Sequence, residues 1–160
     1  MELEFIGHVG VDSGQLLLCD PCYIDSQWEK EDFDPTRIYK NKTTGETLTW
    51  MRDFANYQEL LPKYGKNMNE LNATGEWEEV DVEIKPIHPF SYNACAKATL
   101  SNDGHGELSF KLGHPGAGVA FRTAFGDGMY PVIAHYLDDG TLQSVEVRFQ
   151  EENDEEFIDD

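Results

Sequence analysis

The chain has 160 residues, with 31 acidic against 12 basic side chains and a formal net charge of −19 at pH 7. This length suits a single domain that buries a core without disulfides or metals. The charge disfavours direct binding to nucleic acid or to anionic membranes, and it favours a partner protein with a basic surface.

The N-terminus and the cysteines predict a cytoplasmic protein. The opening residues MELEFIGHVG lack the basic start and long apolar run of a secretion signal, and no apolar stretch approaches the roughly 18 residues that span a bilayer. Cys19, Cys22 and Cys95 are odd in number and too few for a disulfide framework, which agrees with a reducing compartment. We therefore expect free thiols and no membrane association.

The N-terminal quarter predicts two strands and a loop. Residues 3–11 carry large apolar side chains around Gly7 and Gly10, which predicts a strand with a bend at one glycine. Residues 15–19 form an unbroken apolar run that Asp20-Pro21 ends in a turn, as in a central strand covered on both faces. Residues 23–42 alternate charges with isolated aromatics around Asp34-Pro35, which predicts a long loop.

The middle of the chain predicts one short helix followed by strands. Residues 49–61 place four apolar side chains at spacings of four, three and four, which is typical of an amphipathic helix: Trp50, Phe54, Tyr57 and Leu61. A further helical turn fits residues 68–73. Apolar and polar residues alternate in residues 80–84, 94–100 and 108–112, which predicts three strands, and the alanines of the second suggest close packing.

Residues 112–149 predict a β meander. Val119, Phe121 and Phe125 fall two or four residues apart, and a second apolar row ends at Phe149, the period of strands with one buried face. Two Asp-Gly turns separate the apolar runs, and their predicted turn glycines are Gly126, Gly128 and Gly140.

These elements together predict a mainly β fold. We expect an antiparallel β-sandwich or distorted barrel of about eight strands with one short inserted helix, built as a single domain over residues 1–150. Seven of the last ten residues, 151–160, are acidic, which predicts a disordered tail.

Two separated stretches carry a resemblance. They are VDSGQLLLCDPCYI at residues 11–24 and GAGVAFRTAFGDGMYPVIAHYLDDGTLQSVEVRF at residues 116–149. The first resembles the serine-glycine, apolar strand and Asp-Pro signature of the domain-of-unknown-function family 4241, and the second resembles its Gly-Asp-Gly-x-Tyr-Pro turn. The resemblance implies a β-rich fold and supplies no catalytic residues; it does not extend to residues 25–90.

The sequence does not predict a metal site. Cys19 and Cys22 have a spacing that suits zinc, but a second paired cluster is missing, so we expect a buried strand end and a small apolar residue instead. The Asp-Gly turns lack the spaced acidic ligands of a calcium loop. No cofactor is predicted.

Histidines and carboxylates leave a hydrolase open as an alternative. Acid-base chemistry needs the fold to bring His88, His105 or His114 to Asp20 or Asp127, and nothing in their spacing requires that. No nucleophile elbow, metalloprotease helix or phosphate loop is present in the sequence.

The favoured function is a non-catalytic binding or regulatory module. Arg122 lies within a predicted strand of an acidic chain, so it either pairs with a local carboxylate or holds an anionic ligand. The predicted ligand face consists of His114, Arg122, Asp127 and Tyr130, and its ligand is either a small molecule or a protein. A third hypothesis is an acidic decoy that occupies the basic surface of a nucleic-acid-binding protein.

Overall fold

A computed structural model describes residues 1–32 and 37–149. The predicted turn at Asp34-Pro35 and the predicted disordered tail at residues 151–160 lie outside the described residues. Within the described ranges the chain is mainly β, with nine strands in three antiparallel sheets, three short helices and no closed barrel. The mainly β prediction is confirmed, with more helices than the single one expected.

The elements follow one another in this order. The strands are β1 (Glu2–Val11), β2 (Gln15–Cys19), β3 (Ile38–Asn41), β4 (Thr47–Thr49), β5 (Trp77–Val80), β6 (His105–Ser109), β7 (Pro115–Arg122), β8 (Gly128–Tyr136) and β9 (Leu142–Val147). The helices are α1 (Cys22–Ser26), α2 (Met68–Ala73) and α3 (Tyr92–Thr99). None of the helices in the described ranges is long and apolar enough to cross a membrane.

Each sheet combines a pair of consecutive strands with one strand that is more distant in sequence. The first sheet has the order β1-β8-β9, the second β2-β7-β6 and the third β4-β3-β5. The predicted bend in β1 is confirmed as a register shift between Phe5 and Gly7. Strand β2 was expected at the centre of a sheet, and this is wrong: it lies at an edge beside β7, where its apolar run leaves Leu18 exposed.

Two separate clusters form the core. The second sheet packs its inner face under α3, around Phe90, Cys95, Leu108, Ala117 and Ala120. The third sheet and α2 surround a cluster rich in aromatic residues: Tyr39, Leu48, Phe54, Leu61, Met68, Leu71 and Trp77.

Residues 94–100 are helical, and the predicted strand there is wrong. Ser91 caps α3, because its Oγ accepts the Ala94 N–H at 3.2 Å. The alanines favour a helix more strongly than their alternation favours a strand. They also allow close packing, as predicted: a Cβ built on Gly106 would lie 2.9 Å from the Ala98 Cβ.

The predicted helix over residues 49–61 is also wrong. Asp53 accepts the Thr49 N–H at 2.7 Å, and Met51 adopts a left-handed φ of 68°, which a continuous helix does not tolerate. Phe54 and Leu61 still reach the aromatic core, so the helical spacing belongs to a turn-rich segment that points several side chains at one cluster.

Smaller differences concern the ends of elements. The helical turn at residues 68–73 is confirmed as α2, which Asn67 and Glu70 close with a capping box. The predicted loop over residues 23–42 contains β3, which pairs with strands on both sides and buries Tyr39. The strand expected at residues 80–84 is wrong: β5 lies just before it, at Trp77–Val80, and residues 81–84 belong to no strand.

The buried face of β7 is the opposite of the predicted one. On β7 Val119 is exposed and Phe121 is half-buried, whereas Gly118 and Ala120 are buried. Phe125 lies beyond β7 in the following turn and is exposed. The reason is that α3 packs on the face with the smallest side chains, so the larger apolar residues point outward. Val145 on β9, which belongs to the second apolar row predicted to be buried, is also exposed.

We predict that Gly118→Ala destabilises the fold by about 1–3 kcal/mol, because a buried position without space is overpacked. A Cβ there would lie 2.8 Å from the Leu18 carbonyl oxygen and 3.2 Å from Phe90 Cε2. Gly10→Ala is the matched control, since its Cβ meets only the flexible Met129 Sδ, at 3.3 Å. Chemical denaturation measures both variants, and equal stabilities would contradict the close approach.

Candidate functional site

The two motif-bearing stretches meet on the outer face of the second sheet. Strand β2 pairs with β7 so that Leu18 lies opposite Val119, and β6 pairs with β7 so that Glu107 lies opposite Val119 from the other side. Residues that are paired across strands share a face. The three side chains therefore form one row across the sheet, on the side away from α3.

This row borders an open hollow of about 370 Å³. Its apolar part is Leu18, which is 68% exposed, and Val119, which is 41% exposed. Gly116, Ala117 and Gly118, which have small side chains, also line the hollow. Exposed apolar side chains around a concavity mark a place where another molecule can bind.

The end of β2 builds one wall of the hollow. Asp20-Pro21 stops the strand and leads into α1, and the Asp20 Oδ1 accepts the Cys22 N–H at 3.0 Å. Asp20 is thus a turn residue whose carboxylate also lines the hollow. Tyr23 completes this wall, with its ring edge-on to Phe110 at a centroid distance of 4.9 Å.

The hollow carries negative charge. The hydrogen bond from the Cys22 backbone lowers the pKa of Asp20, so this carboxylate is ionised at neutral pH. Glu107 contributes a second, exposed carboxylate, and the described residues that line the hollow include no Lys or Arg. An apolar surface between carboxylates suits a lysine or arginine side chain, which has an alkyl stem and a cationic head.

Two of the predicted ligand residues hold turns together. The Asp127 Oδ1 accepts the Gly14 N–H at 2.8 Å, which links the β7-β8 turn to the β1-β2 turn. Tyr130 is only 4% exposed, and its hydroxyl donates to the Gly126 carbonyl oxygen at 2.8 Å. Their observed contacts are therefore structural, and the Asp127 carboxylate bonds to a distant turn and not to its own.

The other two predicted ligand residues lie apart. His114 directly precedes β7 and Arg122 is its last residue, a span of up to roughly 26 Å at the rise of a strand. The His114 ring stacks on Phe110 at 4.4 Å, and the Arg122 guanidinium lies over Gly104. The structure does not bring the four predicted residues to one face.

Two of the three predicted turn glycines lie in the connections between strands, and the third is the first residue of a strand. Gly126 has a φ of 76° and Gly140 a φ of 83°, a left-handed conformation that favours glycine. Gly128 begins β8 opposite Val11. These positions thus shape the hairpins.

The histidine and aspartate residues weighed for acid-base chemistry form no hydrogen-bonded pair with each other within the described ranges. The structure instead pairs His135 Nε2 with Glu146 Oε2 at 2.8 Å, and Arg148 Nε donates to Glu146 Oε1 at 2.7 Å. Arg148 and His135 lower the pKa of Glu146. Sequence reasoning missed this cluster because its residues come from β8 and the end of β9, and only the hairpin register brings them together.

The cysteines show no shared site. Cys95 is buried, and burial raises the pKa of its thiol to about 12, whereas Cys22 is exposed and its hydrogen bond to Asp20 raises the pKa of its thiol. Cys19 packs against the core cluster under α3. In the described ranges no group of three or more His, Cys, Asp or Glu side chains is placed to hold a metal ion.

Comparisons with protein-family models, with curated proteins and with solved structures found no match to this chain. The hollow was not predicted from the sequence either. Its signal was the pair of motif stretches, which contain Leu18, Asp20 and Val119 but do not reveal that these residues are neighbours.

We predict that Asp127→Ala lowers the free energy of unfolding by about 1 kcal/mol, because the Gly14 N–H loses its acceptor. Asp127→Asn should cost less, since its amide oxygen can still accept. Thermal unfolding of both variants tests this ranking. An Asn variant that melts like the wild type but loses a bound partner would assign Asp127 to binding.

Proposed function

We propose that the protein is a small non-catalytic binding module of the cytoplasm. Its hollow holds a lysine or arginine side chain of a partner protein. The observation that carries the proposal is the placement of two carboxylates, Asp20 and Glu107, around the exposed apolar pair Leu18 and Val119.

The charge distribution supports a cationic partner. The first 29 residues contain no Lys or Arg and six acidic residues: Glu2, Glu4, Asp12, Asp20, Asp25 and Glu29. This segment supplies β2 and one wall of the hollow. A concave surface of one sign attracts the opposite charge and speeds association with a basic protein.

The apolar pair supports binding that does not depend on charge alone. Complete burial of an aliphatic side chain is worth about 1.5–3 kcal/mol, and Leu18 is mostly exposed in the free protein. An arginine or lysine stem that covers Leu18 and Val119 would gain part of this energy while its head reaches a carboxylate.

The acidic decoy remains the second candidate, favoured by the net charge of −19. In that case the carboxylates act together across the surface, and no single pair matters more than another. The small hydrolase remains a further alternative. We also propose membership in the domain-of-unknown-function family 4241, supported by the motifs at residues 11–24 and 116–149.

We predict that the double variant Asp20→Asn, Glu107→Gln weakens partner binding by about tenfold or more, because it removes both carboxylates of the hollow. Immobilised wild type and variant would be compared for the proteins that they capture from cell extract. Each protein that the wild type captures would then be titrated against both chains.

The matched control is the double variant Glu78→Gln, Asp81→Asn, which removes two exposed carboxylates at the end of β5. It changes the net charge equally and should leave affinity nearly unchanged. Equal weakening in both double variants, with a steep loss of affinity as salt rises, would favour the decoy. Undiminished binding in the Asp20/Glu107 variant would contradict the hollow as the binding site.

A further inference from the structure

The outer edge of β6 carries backbone groups that point away from the sheet. Strand β6 is an edge strand, and its partner β7 donates the Arg122 N–H to the Gly104 carbonyl oxygen at 2.8 Å. Antiparallel ladders alternate, so the backbones of Gly106 and Leu108 also face β7. The N–H and C=O groups of His105 and Glu107 therefore face outward, and no described residue bonds to them.

This edge opens into a groove of about 560 Å³ between β6, α3 and residues 86–89. Ile87 stands on the far wall and is 81% exposed, and its own N–H donates to the Glu31 carboxylate at 3.1 Å. Pro86 and Pro89 flank it and have no N–H to offer to β6. Ala94, Lys97 and Ala98 of α3 form the other wall, and Glu107 is the one carboxylate among the described residues that line the groove.

Glu107 connects this groove to the hollow. Its side chain lies in the row with Val119 on the outer face, whereas its backbone faces the groove. A chain that enters the groove and pairs with the edge of β6 therefore passes beside the carboxylate that the proposed function uses. A cation on the outer face of that chain would lie opposite Glu107.

We propose that the groove binds an extended segment of a basic partner protein, which adds to the second sheet as a strand beside β6. This inference rests on the proposed function and gives the partner a sequence pattern. Residues in a strand alternate between faces, so cationic residues face Glu107 and the apolar residues between them face Ile87 and Ala98. The fitting segment alternates Lys or Arg with Val or Ile.

Charge decides between this occupant and a second copy of the chain. Two copies would bring together two chains of −19 each, and repulsion opposes their pairing at this edge. A basic segment neutralises Glu107 and satisfies the free backbone groups of the edge at the same time.

The probe is a short capped peptide in which lysine and valine alternate. We expect it to slow amide hydrogen exchange at His105 and Glu107 by at least about tenfold at saturation, because both N–H groups become hydrogen-bonded. An isomeric peptide whose lysines all precede its valines has the same charge without the alternation. It should bind more weakly and leave these two amides unprotected.

A second measurement uses variants of the apolar wall. Ile87→Gln should weaken binding of the alternating peptide by about fivefold or more, since the valines that face the groove lose their contact with Ile87. Leu112→Gln, which alters a side chain that is exposed outside the groove, should bind like the wild type. Thermal unfolding of both variants checks that each remains folded.

The outcomes separate the two proposals. Binding that depends on Asp20 and Glu107 but leaves the His105 and Glu107 amides unprotected would overturn strand addition and support the hollow as the binding site. Protection of these amides by a peptide whose affinity does not depend on Asp20 would support strand addition at β6 and contradict binding in the hollow. Equal binding of both peptides, or concentration-dependent protection by a second copy alone, would overturn the proposed partner pattern.

Discussion

The close approach of α3 to the second sheet is the constraint on which the rest of the body depends. A helix can pack this near a sheet only where the facing side chains are very small, and Gly106, Gly118 and Ala120 meet that condition. Large apolar side chains cannot occupy this inner face of β7. They are placed on the outer face, and the exposed Leu18 and Val119 follow directly from the tight packing behind them.

The same constraint explains how the two motif stretches come to line the proposed binding surface. The carboxylates of Asp20 and Glu107 end up beside Leu18 and Val119 because a strand end and an edge strand both meet β7 there. Asp20 is already fixed by its bond to the Cys22 backbone, so little conformational freedom is lost when a cation binds. A turn residue can therefore act in recognition without any change in the fold.

Sequence patterns predicted the elements that depend on interactions between residues close in sequence. The strand that ends at Val11 and the hairpin at Gly140 were found because apolar alternation and Asp-Gly turns act within a few residues. The helix predicted over residues 49–61 is wrong because the side chains of a turn-rich segment can also reach one core cluster at helical spacing. The left-handed φ of Met51 distinguishes this segment from a helix. The strand predicted over α3 is wrong because alanines that alternate with other residues do not favour a strand.

The hollow could not be predicted because it depends on register between distant strands. A slip of one residue between β2 and β7 would turn Leu18 inward and expose Leu17, so that the residues of the proposed binding surface would exchange places with those of the core face. Gly118 opposes such a slip: the Leu18 carbonyl and the Leu17 side chain both approach the site of its absent Cβ, and neither of its sequence neighbours, Ala117 and Val119, would fit there. The single glycine that fixes the core therefore also determines which apolar residues reach solvent. Changes at this glycine should alter binding and stability together, whereas changes at Asp20 or Glu107 should separate them.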